Sequence, residues 1–190
     1  MAKLKKDQTQ KLVLTAILTA LVIVLQLMGS FIRFGMFSVS LVLIPIVIGS
    51  ALCGYKAGAW LGFVFGAAVL LSGDAAAFMA IDILGTIVTV LLKGTLAGLL
   101  AGITYKLLEN RNRYLAVMAA AVVCPVVNTG VFFLGCIVFF LKAISEWAAG
   151  ANAITYILVA LIGVNFIFEF VINVIAAPVI LRILRIVKKV

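Results

Sequence analysis

Four polar residues stand inside stretches that are otherwise apolar: Lys93, Asn128, Asn165 and Glu169. Counted at about 1.5 Å per helical residue, they fall at comparable depths near the middle of three successive apolar segments. A charged side chain at that depth in a bilayer costs on the order of 3 kcal/mol or more unless it faces protein, water or a counter-ion. Two chemistries fit. Lys93 and the asparagines can line a pocket and orient a polar ligand. Alternatively, Lys93 and Glu169 can form a buried ion pair, with the amides bonding between helices, so that the set only holds a bundle together. Histidine is absent, which removes the commonest general base and metal ligand. The chain has no G-x-x-x-x-G-K-[ST] loop for ATP, no G-x-S-x-G, no H-E-x-x-H and no carboxylate pair beside a nucleophile. We therefore expect no catalytic residues, no metal and no cofactor.

The elements that must position these residues are membrane helices. The composition is 66% hydrophobic and 11% charged, with a mean hydropathy of +1.36, whereas a soluble domain runs near half apolar and about a quarter charged. Spans of roughly 20 residues give an all-α membrane protein, a bundle of about six transmembrane helices forming a single domain over residues 1–190. The expected helices cover about 9–29, 39–53, 57–71, 82–105, 114–141 and 153–181. The first is read as a retained helix, because its apolar run is longer than a signal core and lacks a small-residue cleavage site. The central one carries Lys93 on one side and Gly94, Gly98 and Gly102 on another. Gly58, Gly62 and Gly66 repeat that spacing in the third helix, and Ala16 and Ala20 make a smaller flat face on the first. Such rows let helices approach closely.

A net charge of +9 could suggest nucleic acid, but the charges sit at the ends of apolar runs rather than in one patch. They fit the positive-inside rule instead. Lys3, Lys5, Lys6 and Lys11, Lys56, the Lys106–Arg113 loop and the Arg182–Lys189 tail fall on one side, with only Arg33 and Lys142 on the other. Both termini are therefore expected in the cytoplasm. Arg33, Asp74, Asp82, Lys142 and Glu146 fall in the outer loops, where together they could close over a solute entering from outside, though each alone is read first as a solvated charge. Phe31, Phe34 and Phe37 suit a link that dips into the interface and caps a pocket. Cys53, Cys124 and Cys136 lie in apolar runs without paired spacing.

In order and spacing, the chain resembles the substrate-specificity (S) components of energy-coupling factor (ECF) vitamin transporters. The residues that carry the likeness are the basic N-terminus leading into LTAILTA, then SLVLIPIVIGSALCGYKAGAWLGFVFG, DILGTIVTVLLKGTLAGLLAGITYKLL and CPVVNTGVFFLGCIVFF. The resemblance implies a multi-pass plasma-membrane subunit that binds one vitamin in its outer half, under a lid formed by residues 29–40 with Arg33 and Phe34 in it. It implies partners as well: a transmembrane T subunit docked on the Ala16/Ala20 face, and two ATP-binding-cassette ATPases that supply the energy. The loaded subunit would then topple to present its pocket to the cytoplasm. Lys93, Asn128, Asn165 and Glu169 become the expected ligand contacts.

The pattern sits nearest the riboflavin- and pantothenate-type branch. The only tryptophans are Trp60 and Trp147, too few for a tryptophan-lined thiamine site. Lys93 favours a carboxylate-bearing cargo such as pantothenate, whereas riboflavin would use apolar walls and the amides. The rival from another class is a structural or assembly membrane protein whose polar core binds no solute.

Overall fold

The structure is a computed structural model that describes residues 2–30, 33–34, 37–38 and 41–187, apart from the side chains of residues 2–6, 33–34, 37–38 and 164. It is an all-α bundle with one short hairpin. Helix α1 (Ala2–Gly29) is followed by β1 (Arg33–Phe34) and β2 (Phe37–Ser38), which pair antiparallel with Phe34 opposite Phe37. The link between the first two helices thus contributes two short paired strands. Phe31 and the side chains of Arg33, Phe34 and Phe37 lie outside the described residues.

Helices α2 (Leu43–Cys53) and α3 (Tyr55–Leu71) are separated only by Gly54, whose φ of 97° is readily available to glycine alone. A short α4 (Ala76–Met79) leads to α5 (Ile83–Leu108), which is capped by Asp82 accepting from the Gly85 amide at 3.0 Å. Asp82 is therefore a helix cap rather than a solvated loop charge. Asn112 caps α6 (Arg113–Gly135) in the same way, accepting from Tyr114 and Leu115.

The last two long helices each contain a wide π-helical stretch, which neither hydropathy nor glycine spacing signals. α6 runs through Cys136–Phe140 into α7 (Leu141–Trp147), so helix continues to Trp147 where a turn was expected from Lys142. After a turn closed by Gly150, α8 (Ala153–Tyr156) runs through Ile157–Gly163 into α9 (Val164–Val187). π-helical turns are rare and frequent at functional sites.

Among the described residues, four helices are long and apolar enough to cross a membrane: Asp7–Gly29, Ile83–Leu108, Arg113–Trp147 and Asn165–Val187. Three shorter apolar helical stretches, Leu43–Cys53, Tyr55–Leu71 and Ala153–Gly163, accompany them.

The centre of the bundle is the contact of α3 with α5. The two glycine rows face each other in antiparallel register: Gly58 against Gly98, Gly62 against Gly94, and Gly66 against Val90. A Cβ at Gly62 would meet the backbone carbonyl of Gly94, and one at Gly98 the carbonyl of Gly58. Only glycine permits backbones this close, and in a membrane close packing is what drives helices together. With Gly94 fixed in that seam, its neighbour Lys93 is turned about 100° around α5. It leaves the glycine seam and reaches a space bordered by Phe65 of α3, Phe132 of α6 and Glu169 of α9. An apolar core of Leu43, Ile46, Leu61, Phe65, Ala97, Ala120, Cys124 and Ile180 fills the rest of the middle.

Candidate functional site

On α5 the spacing Thr86, Thr89, Val90, Lys93 makes a stripe at helical period, and that stripe walls a cavity. The remaining walls are Gln26 of α1, Phe65 and Val69 of α3, Asp74 and Ala75 of the following turn, and Phe78 of α4. Phe132 of α6, Phe140 in the π-helical turn, and Asn165 and Glu169 of α9 complete it. The cavity encloses roughly 550 Å³ of empty space, its mouth included. A smaller chamber of roughly 350 Å³ adjoins it, sharing Lys93, Phe132, Asn165 and Glu169 and adding Asn128, Thr129, Leu161, Ile162 and Phe166. Both π-helical stretches thus contribute side chains to this space, Phe140 from one and Leu161 and Ile162 from the other.

Lys93 stands where the two spaces meet. Its Nζ lies 5.6 Å from the centre of the Phe65 ring and 5.3 Å from that of Phe132, in range for cation–π attraction. Among the described residues no ion pair joins Lys93 to Glu169 or to any other carboxylate. The ion pair considered from the sequence is therefore not formed. Glu169 is 5% exposed and is held instead by Asn128, whose Nδ2 donates to Oε2 at 3.4 Å. One turn further on, Asn173 donates to the Glu169 backbone carbonyl at 2.8 Å. The side-chain oxygens of Asn128 and Asn165 and the Thr89 hydroxyl are buried and have no hydrogen-bond partner among the described residues. Buried polar groups without partners are few in native structures and each asks for an explanation. Here three of them border one cavity system.

The expected contacts Lys93, Asn128, Asn165 and Glu169 therefore converge on one space. Arg33 and Phe34 are placed only by their backbone, in the hairpin that begins a few residues after Gln26. Ala16 and Ala20 lie away from the cavity on an exposed face of α1, with Leu12, Val13, Ile17 and Val24.

Several wall residues were not among the expected contacts, Asp74 and Gln26 with them. Asp74, read first as a solvated loop charge, forms part of the wall and accepts from Gln26 Nε2 at 2.7 Å, while the Ser72 hydroxyl lies between it at 3.2 Å and the Val69 carbonyl at 3.1 Å. Gln26 had a sequence signal that was there to be used: it continues the Leu18–Val22 stripe at four-residue spacing, the buried face of α1. Among the described residues no group of histidine, cysteine or carboxylates could hold a metal ion, and the cysteines are free thiols.

Residues 10–181 match the family model of the ECF transporter substrate-specific component, and the chain belongs to that family. No curated protein and no solved structure matches it. Membership, together with several long apolar helices, makes this a multi-pass protein of the plasma membrane. It also implies association with the T and ATPase subunits of an ECF module.

Proposed function

We propose that the chain is the high-affinity binding subunit of an ECF importer for a water-soluble vitamin, and that the cargo is pantothenate. The observation that carries the cargo choice is Lys93: a membrane-embedded cation between two aromatic rings, facing a cavity, with no ion-pair partner among the described residues. An intramembrane ionisable group facing a cavity is a functional group by default, and a carboxylate is its natural complement. Asn128 and Asn165 would supply amide contacts to the rest of the molecule.

The membrane topology we propose has about six crossings, the short α2 and α3 included, and both termini in the cytoplasm. Two observations support it. The start of α1, the α2–α3 junction, the end of α5 and the end of α9 border one groove, so both ends of the chain lie at one end of the bundle. Lys11, Lys56, Lys106, Arg111 and Arg113 are in or beside those elements. The cavity then opens at the outer end, under the Arg33–Ser38 hairpin as a lid. The exposed Ala16/Ala20 face of α1 would receive the T subunit, and two ATPases would drive transport.

Calorimetric titration of the purified subunit against a vitamin panel tests the reading. Tight one-to-one binding of pantothenate alone supports it. Tight binding of riboflavin instead would keep the class and replace the cargo, and binding of no vitamin would leave a structural protein.

A further inference from the structure

Among the described residues Lys93 makes no hydrogen bond, although acceptors border the same space. It stands with Glu169 and Asn165 on the walls of both chambers, and Asn128 joins them in the smaller one. The Asn128 and Asn165 side-chain oxygens are buried and take no donor among the described residues. Glu169 receives only the Asn128 amide, at 3.4 Å. An ammonium and a carboxylate bordering one membrane-embedded space attract strongly, and the flexible stem of a lysine allows it to swing across. What holds Lys93 elsewhere is aromatic: its Nζ lies 5.6 Å from the centre of the Phe65 ring and 5.3 Å from that of Phe132. Those rings are themselves fixed. Phe65 is buried in the main core. Phe132 meets Phe78 edge-on at 5.5 Å, and Phe78 packs in the same manner against Phe140 at 5.0 Å and Trp147 at 5.7 Å.

We infer that Phe65 and Phe132 are positioning residues that hold the Lys93 ammonium apart from Glu169, so that the empty site keeps its cation and its acceptors open for cargo instead of closing them on each other; the inference rests on the vitamin-binding reading above. A ring face attracts a cation without neutralising it, so Lys93 stays available to an acidic group. Were Lys93 paired with Glu169, the cargo would have to break that pair first, and its apparent affinity would fall with the fraction of molecules left open. The short α4 contributes to the same arrangement, since its Phe78 braces the Phe132 ring.

The competing explanation is that the rings only shape the wall. A double-mutant cycle with Glu169 separates the two, because a wall has no reason to depend on the charge of Glu169. The probe is pantothenate, or riboflavin where that is the vitamin bound, in calorimetry on the detergent-purified subunit. Phe132→Leu is expected to weaken binding at least about fivefold with Glu169 present, and less than about twofold in the Glu169→Gln background, where no carboxylate is left to capture Lys93. A ring-fluorinated phenylalanine at position 132 keeps the shape while weakening the negative face of the ring. It should repeat the pattern, and it carries the test where Phe132→Leu fails to fold. Melting of the ligand-free protein reads the pair without cargo: Lys93→Met and Glu169→Gln should shift it additively with Phe132 intact and non-additively in the ring variant. Equal affinity losses in both backgrounds, or additive melting shifts in both, would overturn the inference while leaving the wild-type binding reading in place. A wild type that binds no vitamin would overturn both.

Discussion

Replacing Lys93 by methionine separates a recognition charge from a structural one, because the two predict opposite responses in stability and affinity. If Lys93 and Glu169 formed a buried ion pair, its loss would strand Glu169, which is 5% exposed, at a cost of about 3–5 kcal/mol. The structure holds no such pair. Glu169 keeps its bond from Asn128 whether or not Lys93 is charged. What the variant gives up is the attraction to the Phe65 and Phe132 rings, about 0.5–2 kcal/mol. What it recovers is the cost of keeping an unpaired ammonium at membrane depth, about 2.5–3.5 kcal/mol on insertion scales. The balance favours the variant by about 0.5–3 kcal/mol. Affinity should move the other way: a hydrogen bond to a charged group contributes about 1.5–3 kcal/mol, which is roughly a ten- to hundredfold weaker Kd. Thermal unfolding of the ligand-free protein in detergent and calorimetric titration with pantothenate read the two quantities separately. A variant that melts far below the wild type, yet binds as tightly wherever it remains folded, would refute the reasoning.

Two further outcomes follow from the packing. Gly62→Ala should destabilise by about 1–3 kcal/mol, since its Cβ would meet backbone atoms of Gly94 and Thr95 that can move only if α3 and α5 part. Gly130→Ala, with open space around its Cβ, should be neutral or slightly stabilising; comparable melting losses in both would mean that the seam is not the critical contact. Ala16→Trp combined with Ala20→Trp should abolish uptake in whole cells while leaving the Kd of the isolated subunit unchanged, because both alanines are exposed and far from the cavity wall. A weakened Kd in that double variant would assign the face to internal packing.

Much of what positions the cavity was legible because close approach leaves a strong mark on sequence. Two rows of glycine at four-residue spacing have few uses in a membrane helix other than contact, and the placement of Lys93 one position from Gly94 already turned it away from that contact. The convergence of Lys93, Asn128, Asn165 and Glu169 was legible for a related reason: depth along a helix follows from counting residues, and polar groups at one depth can meet. The pairing among them was not, since depth says nothing about rotation between helices, and Glu169 turned toward Asn128 rather than Lys93. The π-helical stretches were invisible because an extra residue in a turn changes neither hydropathy nor composition. Asp74 was misread because it sits in a Ser-Gly-Asp turn that looks solvated in sequence. Only the fold brings Gln26, distant in the chain, against it.

The central claim is that this cavity holds a vitamin, and the most direct measurement is mass spectrometry of small molecules released from subunit purified without added ligand, with its visible absorption recorded first. A colourless preparation that releases pantothenate at about one per chain is the predicted result. A yellow preparation that releases a flavin would replace the cargo. A preparation that releases nothing, and then fails to bind any vitamin on titration, would contradict the account.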